Sequence, residues 1–108
     1  MANTFKNSIT GSIGTSNVNV YTVPAATSTT VIGMSVANVT SNNINVSTTL
    51  TSGSRTVYLI KDATVTAGGT AVLVGGDQKV VLTATNYLTV VSSAASSADV
   101  VVSVLEIS

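Results

Sequence analysis

The alternation of apolar and small polar residues over residues 44–50 is the sequence feature that most constrains the fold. Ile44, Val46, Thr48 and Leu50 occupy every second position, and Asn, Ser or Thr fills the positions between them. Because successive side chains of a β-strand point to opposite faces of a sheet, this pattern predicts a strand with one face in the core and one in water. The β-branched residues that recur through the chain also crowd a helical turn but pack well on a sheet.

A second constraint is a glycine-rich interruption within residues 71–82, where two aliphatic runs lie on either side of Gly75, Gly76 and Asp77. Glycine adopts positive φ without a Cβ clash, and aspartate tolerates it better than most residues. The segment therefore predicts a central β-hairpin that reverses at this point.

Further strands are predicted at close, regular spacing. Ser52, Gly53 and Ser54 predict a turn that joins residues 44–50 to residues 55–61 in another hairpin. The other predicted strands cover residues 17–23, 29–39, a short stretch around Val65, 86–92 and 98–107. About nine short strands and no segment that favours a helix predict an all-β fold, an antiparallel β-sandwich of jelly-roll type. The last strand is apolar on both faces, so we expect a neighbouring subunit to cover its second face.

The first sixteen residues differ from the rest of the chain. Phe5, Ile9 and Ile13 are spaced four apart, but Gly11, Gly14 and many Ser and Thr residues disfavour a helix. We therefore expect residues 1–16 to form an extended N-terminal arm and residues 17–108 to form the sandwich. Phe5, Ile9 and Ile13 are the candidate subunit contacts, through which the arm would add as a strand to a neighbour's sheet edge and order only on assembly. The alternative is a frayed terminus without a role.

The small number of charges bears on possible partners. Only 7% of the 108 residues are charged, four basic and four acidic, whereas 44% are hydrophobic. Balanced charge gives no electrostatic reason to expect nucleic acid or an anionic membrane as a partner. A surface of Ser, Thr and Asn does little to repel neighbouring molecules, so it favours a homo-oligomer, with a trimer as the predicted state. A domain that is poor in charge by chance is the alternative.

Residues for catalysis or metal binding are scarce. The chain has no His and no Cys, so it lacks the usual general base, thiolate nucleophile, imidazole ligand and disulfide framework. Asp62, Asp77, Asp99 and Glu106 do not have the spacing of a calcium loop, although a calcium site between loops stays open. We predict no enzyme activity, no cofactor and no metal. The start also lacks the apolar core of a signal peptide, and no apolar run is long enough for a transmembrane helix.

Tyr21, Tyr58 and Tyr87 allow two interpretations. They could line a sugar-binding face, or they could cap the edge of a core with their hydroxyl groups in water.

Several blocks of the chain after about Val18 resemble a family of small virion structural proteins of tailed bacteriophages, in particular phages of marine and freshwater bacteria. The resemblance lies in turn and core patterns over residues 20–24, 31–38, 57–61, 74–79, 92–99 and 103–107. It supplies no catalytic or ligand-binding residue.

The resemblance implies a structural subunit of a tailed-phage virion, assembled in the cytoplasm of a host bacterium. Within that role we expect a capsid decoration (cement) protein that clamps subunits of the major capsid protein. A neck, tail or tail-fibre subunit is one alternative, and a carbohydrate-binding module for host attachment is another.

Overall fold

The computed structural model of the protein describes residues 3–74 and 79–108, which form nine β-strands and no helix. In chain order these are β1 (Asn3–Ile13), β2 (Val18–Thr22), β3 (Ser28–Asn38), β4 (Ile44–Ser52), β5 (Arg55–Val65), β6 (Thr70–Val74), β7 (Val80–Leu82), β8 (Tyr87–Ser92) and β9 (Ala98–Ile107). The all-β prediction is confirmed. Within these two ranges there is no helix long and apolar enough to span a membrane.

The strands form two antiparallel sheets. The five-stranded sheet has the order β1-β9-β3, and both β6 and β7 pair with the remaining edge of β3. The four-stranded sheet has the order β2-β8-β4-β5. The chain crosses between the sheets at every connection except those from β4 to β5 and from β6 to β7. If β6 and β7 count as one interrupted strand, this is the eight-strand connectivity of a jelly roll, so that prediction is also confirmed.

The core lies between the two sheets. On β9, Val100, Val102 and Val104 face inward and are at most 1% exposed. Burying a Val, Ile or Leu side chain of this kind contributes roughly 1.5–3 kcal/mol, which makes these positions the main source of stability. The other large side chains that are fully buried are Ile13, Val23, Val31, Met34, Val36, Val46, Leu82, Leu88 and Val90.

The hairpin between β4 and β5 forms where the sequence predicts it. Ser52 pairs with Arg55 across a two-residue turn, and Gly53 there has a φ of 62°. A residue with a Cβ is strained in this conformation, which explains why glycine suits the position. On β4 the predicted alternation holds along the strand, because Thr48 and Leu50 lie opposite the fully buried Val90 and Leu88 of β8. The register shifts with β5 place extra residues on β5 and leave this alternation intact.

The predicted central hairpin over residues 71–82 is wrong. β6 pairs with residues 34–37 of β3, and β7 pairs with residues 29–31 of the same strand, both antiparallel. The two segments therefore run in the same direction along one edge of β3, which at eleven residues is long enough to bind both. Residues 75–78, on which the predicted turn depends, lie outside the described residues.

The N-terminal segment is extended, as predicted, but it belongs to the sandwich of its own chain. β1 pairs with β9 from Asn3↔Ile107 to Ile13↔Ala98, and Ile13 is fully buried in the core. The expected division into an arm of residues 1–16 and a sandwich of residues 17–108 is therefore corrected, because residues 3–13 form a strand of the sandwich. The reason is that the edge of β9 offers backbone hydrogen-bonding groups within the same chain.

Two β-bulges change which side chains face the core. On β2, a register shift between Asn19 and Tyr21 turns Tyr21 inward next to Val20, although simple alternation predicts opposite faces for these two residues. On β1, a register shift between Thr10 and Ile13 includes Ser12, which has a φ of 56°. An extra residue in one strand reverses the side-chain phase beyond it.

Candidate assembly interface

The outward side of the five-stranded sheet, hereafter the outer face, carries large apolar side chains that are exposed to solvent. Phe5 and Ile9 of β1 are 75% and 74% exposed, and Val72 of β6 and Val81 of β7 are 70% and 66% exposed. Val101 of β9 is also exposed. A monomeric protein would place polar residues at such positions.

The strand register aligns these side chains in two rows across the sheet. The first row consists of Phe5, Leu105, Thr30 and Val81. The second row consists of Ile9, Val101, Ser35 and Val72. Each row crosses four strand positions, or roughly 14 Å, and the rows are four residues apart, or roughly 13 Å. With side-chain widths included, the rows bound an area on the order of 400 Å², which is within the range of the largest surface patch on a typical monomer, a patch that is often functional.

Small residues separate the two rows. Asn7, Ser103 and Gly33 lie side by side between them on β1, β9 and β3. A groove of about 280 Å³ follows from these small side chains, with Phe5 and Ile32 on its opposite sides. A protruding side chain of a partner could therefore fit between the rows.

Charge is sparse on the outer face. Asp99 lies at one end of it, where its carboxylate accepts a hydrogen bond from the backbone N–H of Ser12 at 3.1 Å. Lys6 also lines the groove, but its charge is already paired, because its Nζ lies 3.5 Å from the Glu106 carboxylate. A partner that covers the two rows would bury little charge, which keeps the desolvation cost low.

The outward side of the four-stranded sheet is different in character. The hydroxyl groups of Thr49 and Thr89 hydrogen-bond each other across β4 and β8. The Thr64 hydroxyl donates to Oδ1 of Asn45 at 3.1 Å across β4 and β5. These hydroxyl and amide groups are hydrogen-bonded to their neighbours, so this side carries more polar groups than the outer face, although Tyr58 on β5 is also exposed there.

The structure separates the three residues predicted to make subunit contacts. Phe5 lies in the first row of the outer face and Ile9 in the second, so both are available to a partner. Ile13 lies in the core of its own chain and is not available. In a strand, a spacing of four would keep all three on one side, but the bulge at Ser12 turns Ile13 inward.

Val72, Val81 and Ile32 are residues of the outer face that the sequence argument missed. Val72 and Val81 were assigned to a hairpin, so nothing indicated that both lie beside β3 on the same side of the sheet. The sequence feature that could have indicated these residues is the last strand, which has apolar side chains on both of its faces. It predicted an uncovered face, and Val72 and Val81 lie in the rows that cross it.

The tyrosines do not share one face. Tyr21 of β2 is buried, and its hydroxyl donates to Oε2 of Glu106 at 2.6 Å and lies 2.9 Å from the Thr29 hydroxyl. Burial and the hydrogen bond to Glu106 raise the pKa of Tyr21 to about 12. Tyr58 is exposed on β5, with Nζ of Lys61 5.3 Å from its ring centre. The geometry therefore provides no platform of three aromatic rings for a sugar.

Metal-binding and reactive groups are not assembled in the described part of the chain. Residues 3–74 and 79–108 contain no group of three or more Asp, Glu, His or Cys side chains that could hold a metal ion. The Tyr21 hydroxyl and the Glu106 carboxylate lie close together, but both residues are buried and more than 90% inaccessible, so the pair joins strands and does not face a substrate.

Comparison with known proteins identifies the fold. No family model matches the sequence, and no curated protein matches it. Among solved structures, the chain is similar to one in the crystal structure of the T13 viral particle of IBDV, with a TM-score of 0.55, 13% identity and 96% of this chain covered. It is also similar to one in the structure of the infectious bursal disease virus Gx strain, with a TM-score of 0.52, 13% identity and 96% coverage.

This likeness concerns one part of much longer chains. The protein spans 30% and 36% of the length of those two viral chains. At 13% identity the similarity shows a shared β-sandwich fold, which agrees with the jelly-roll connectivity described above.

Proposed function

We propose that the protein is a structural subunit of a virus particle and that it assembles through the outer face. The observation that carries the proposal is the pair of apolar rows, with side chains up to 75% exposed on a chain that has few charges to keep copies apart. Covering these rows removes apolar surface from water, which is the dominant favourable term in protein association.

Two observations support a virus particle as the assembly, namely the fold and the sequence resemblance. The fold is similar to that of chains in structures of a virus and its particle. The sequence blocks resemble small virion proteins of tailed bacteriophages. Within this class we propose a decoration protein on the phage head, present as a homotrimer whose copies cover each other's outer faces and which contacts the major capsid protein. Its location would then be the virion, after assembly in the bacterial cytoplasm.

The proposal is tested by locating the protein on purified particles. Antibodies against the purified chain, visualised by gold labelling in electron microscopy, should mark the head at repeated, symmetry-related positions. Label confined to the neck or tail would replace the decoration role with the tail-subunit alternative. Particles that carry the gene for this chain but contain none of the protein would overturn the structural role altogether.

A further inference from the structure

Strand β1 is joined to the sandwich mainly by its backbone. Its inward side chains before the bulge include Lys6, Ser8 and Thr10, which are polar, whereas Phe5 and Ile9 point outward into solvent. Residues 3–10 therefore bury little apolar surface of their own. They are held by the antiparallel ladder with β9, by the Lys6–Glu106 ion pair and by a 2.7 Å hydrogen bond from the Ser8 hydroxyl to the carbonyl of Val20.

The chain is firmly anchored directly after this segment. The carbonyl of Ile13 accepts a 2.8 Å hydrogen bond from the N–H of Ser97, and the carbonyl of Gly14 accepts one of 2.8 Å from the N–H of Ser92. The side chain of Ile13 is fully buried. The N-terminal segment that could leave the sandwich therefore ends before Ile13, and not at residue 16.

Gly11 and Ser12 form the junction between these parts. Both are exposed, and Ser12 has a φ of 56°, which is unfavourable for a residue with a Cβ. A short junction in a strained conformation is the situation in which a terminal element tends to leave its own chain and pair with an identical neighbour.

We propose that β1 is exchanged between copies of this chain on assembly, with residues 3–10 of one copy paired to β9 of its neighbour about a hinge at Gly11 and Ser12. This goes beyond the proposed function, which requires only contact between outer faces. A second copy is the partner that fits, because it offers the same β9 edge, with Glu106 for Lys6 and the Val20 carbonyl for Ser8. The eight residues reach roughly 26 Å when extended, enough to cross to a neighbour.

The exchange also explains why β1 carries Phe5 and Ile9. In the exchanged arrangement each copy contributes one end of both apolar rows to its neighbour's outer face, because Phe5 aligns with Leu105 and Ile9 with Val101. The contacts that residues 3–10 make in the closed chain are kept, but they are made between chains.

The test uses the full-length chain with two cysteines, N7C and S103C, which occupy directly paired positions on β1 and β9. The natural chain has no cysteine, so only this pair can be linked. The oligomer is isolated, treated with an oxidant or, in parallel, with a short bismaleimide that does not require disulfide geometry, and analysed on a denaturing gel. The matched control is T49C with T89C, a directly paired set on β4 and β8.

Exchange predicts that most of the linked N7C/S103C product consists of two or more chains, while the T49C/T89C product stays at the size of one chain. The exchange is overturned if the linked N7C/S103C product from the isolated oligomer is a single chain. It is also overturned if only single-chain product forms at every protein concentration up to several hundred micromolar. In an assembled oligomer that result leaves assembly through the outer face intact, so the two proposals fail separately. Asn7 and Ser103 lie on the outer face, where an opposed copy could also be linked without exchange. T10C with V100C, a directly paired set on the inward side of the same strands, therefore repeats the measurement, and a single-chain product for this pair in the oligomer overturns the exchange even if N7C/S103C links chains.

Discussion

The hydroxyl of Tyr21 donates a 2.6 Å hydrogen bond to the carboxylate of Glu106 and so connects β2 of the four-stranded sheet to β9 of the five-stranded sheet. Glu106 also forms an ion pair with Lys6 of β1. One buried carboxylate therefore joins strands at the two ends of the chain. A hydrogen bond to a charged group typically contributes more than one between neutral groups.

Alkaline pH should destabilise the fold through Tyr21. Its pKa is raised from 10.0 to about 12 in the folded chain, so the unfolded chain releases this proton first. The stability linked to Tyr21 is complete below pH 10 and is lost as the pH rises through about 12, on the order of 2–3 kcal/mol in total. Urea unfolding between pH 8 and pH 12 measures it. The Y21F variant lacks this ionisable group and is the control, and an equally steep loss of stability with pH in Y21F would contradict the assignment.

Replacing Thr48 with Val should stabilise the protein. Thr48 is fully buried, and its hydroxyl oxygen has no hydrogen-bond partner among the described residues. An unsatisfied buried hydroxyl costs free energy, so T48V should raise the free energy of unfolding by about 1 kcal/mol. Thr29 is the control, because it is equally buried but its hydroxyl is bonded to Tyr21, and T29V should lower stability by a similar amount. Thermal unfolding of both variants measures these changes, and a lower melting temperature for T48V would contradict the prediction.

Asn38 should be among the most sensitive polar positions. Its side-chain nitrogen donates to the carbonyls of Asn42 at 2.7 Å and Val65 at 3.0 Å, and its oxygen accepts from the N–H of Thr40 at 2.9 Å. Removing these bonds leaves buried backbone groups unpaired, so N38A should cost about 3 kcal/mol in denaturant unfolding. The exposed Asn42 is the matched control, and N42A should change stability by less than about 0.5 kcal/mol. Equal losses of stability in N38A and N42A would refute the role of the Asn38 hydrogen bonds.

Introducing charge on the outer face should reduce self-association. V72E and V81E each place a carboxylate in one of the apolar rows at a position that is already exposed, so folding should be little affected. Burying that carboxylate against a partner is costly, and the dissociation constant should rise at least tenfold by sedimentation velocity. The control is V57E on β5 of the other sheet, where Val57 is 49% exposed. If V57E weakens association as much as V72E does, the interface lies elsewhere.

Features of the fold that depend on neighbouring residues were predicted from the sequence. The alternation at Ile44 and Val46 predicted β4, and the glycine at position 53 predicted its turn into β5. The reason is that strand preference and turn geometry arise from the sterics of a residue and its close neighbours. Phe5 and Ile9 were also identified as candidate contacts because large apolar residues are conspicuous in a polar segment.

Pairing between distant strands could not be predicted from the sequence. Nothing near residues 71–82 shows that β6 and β7 share the edge of β3, and a local hairpin satisfies the same pattern of residues. The bulges that turn Ile13 and Tyr21 inward likewise depend on register with β9 and β8. A shift of one residue changes which side of the sheet every later side chain occupies, and only the packed core selects among these registers.

The residue pattern alone predicts that this chain forms short strands, that few of its residues are charged, and that its last strand is apolar on both sides. The tertiary structure decided where that apolar surface goes. Phe5 lies beside Leu105 and Val72 lies in line with Val101, although these partners are far apart in the chain. The alignment results from backbone ladders between strands of distant sequence position, whose combined free energy fixes one register for the whole sheet and thereby places scattered residues in two continuous rows.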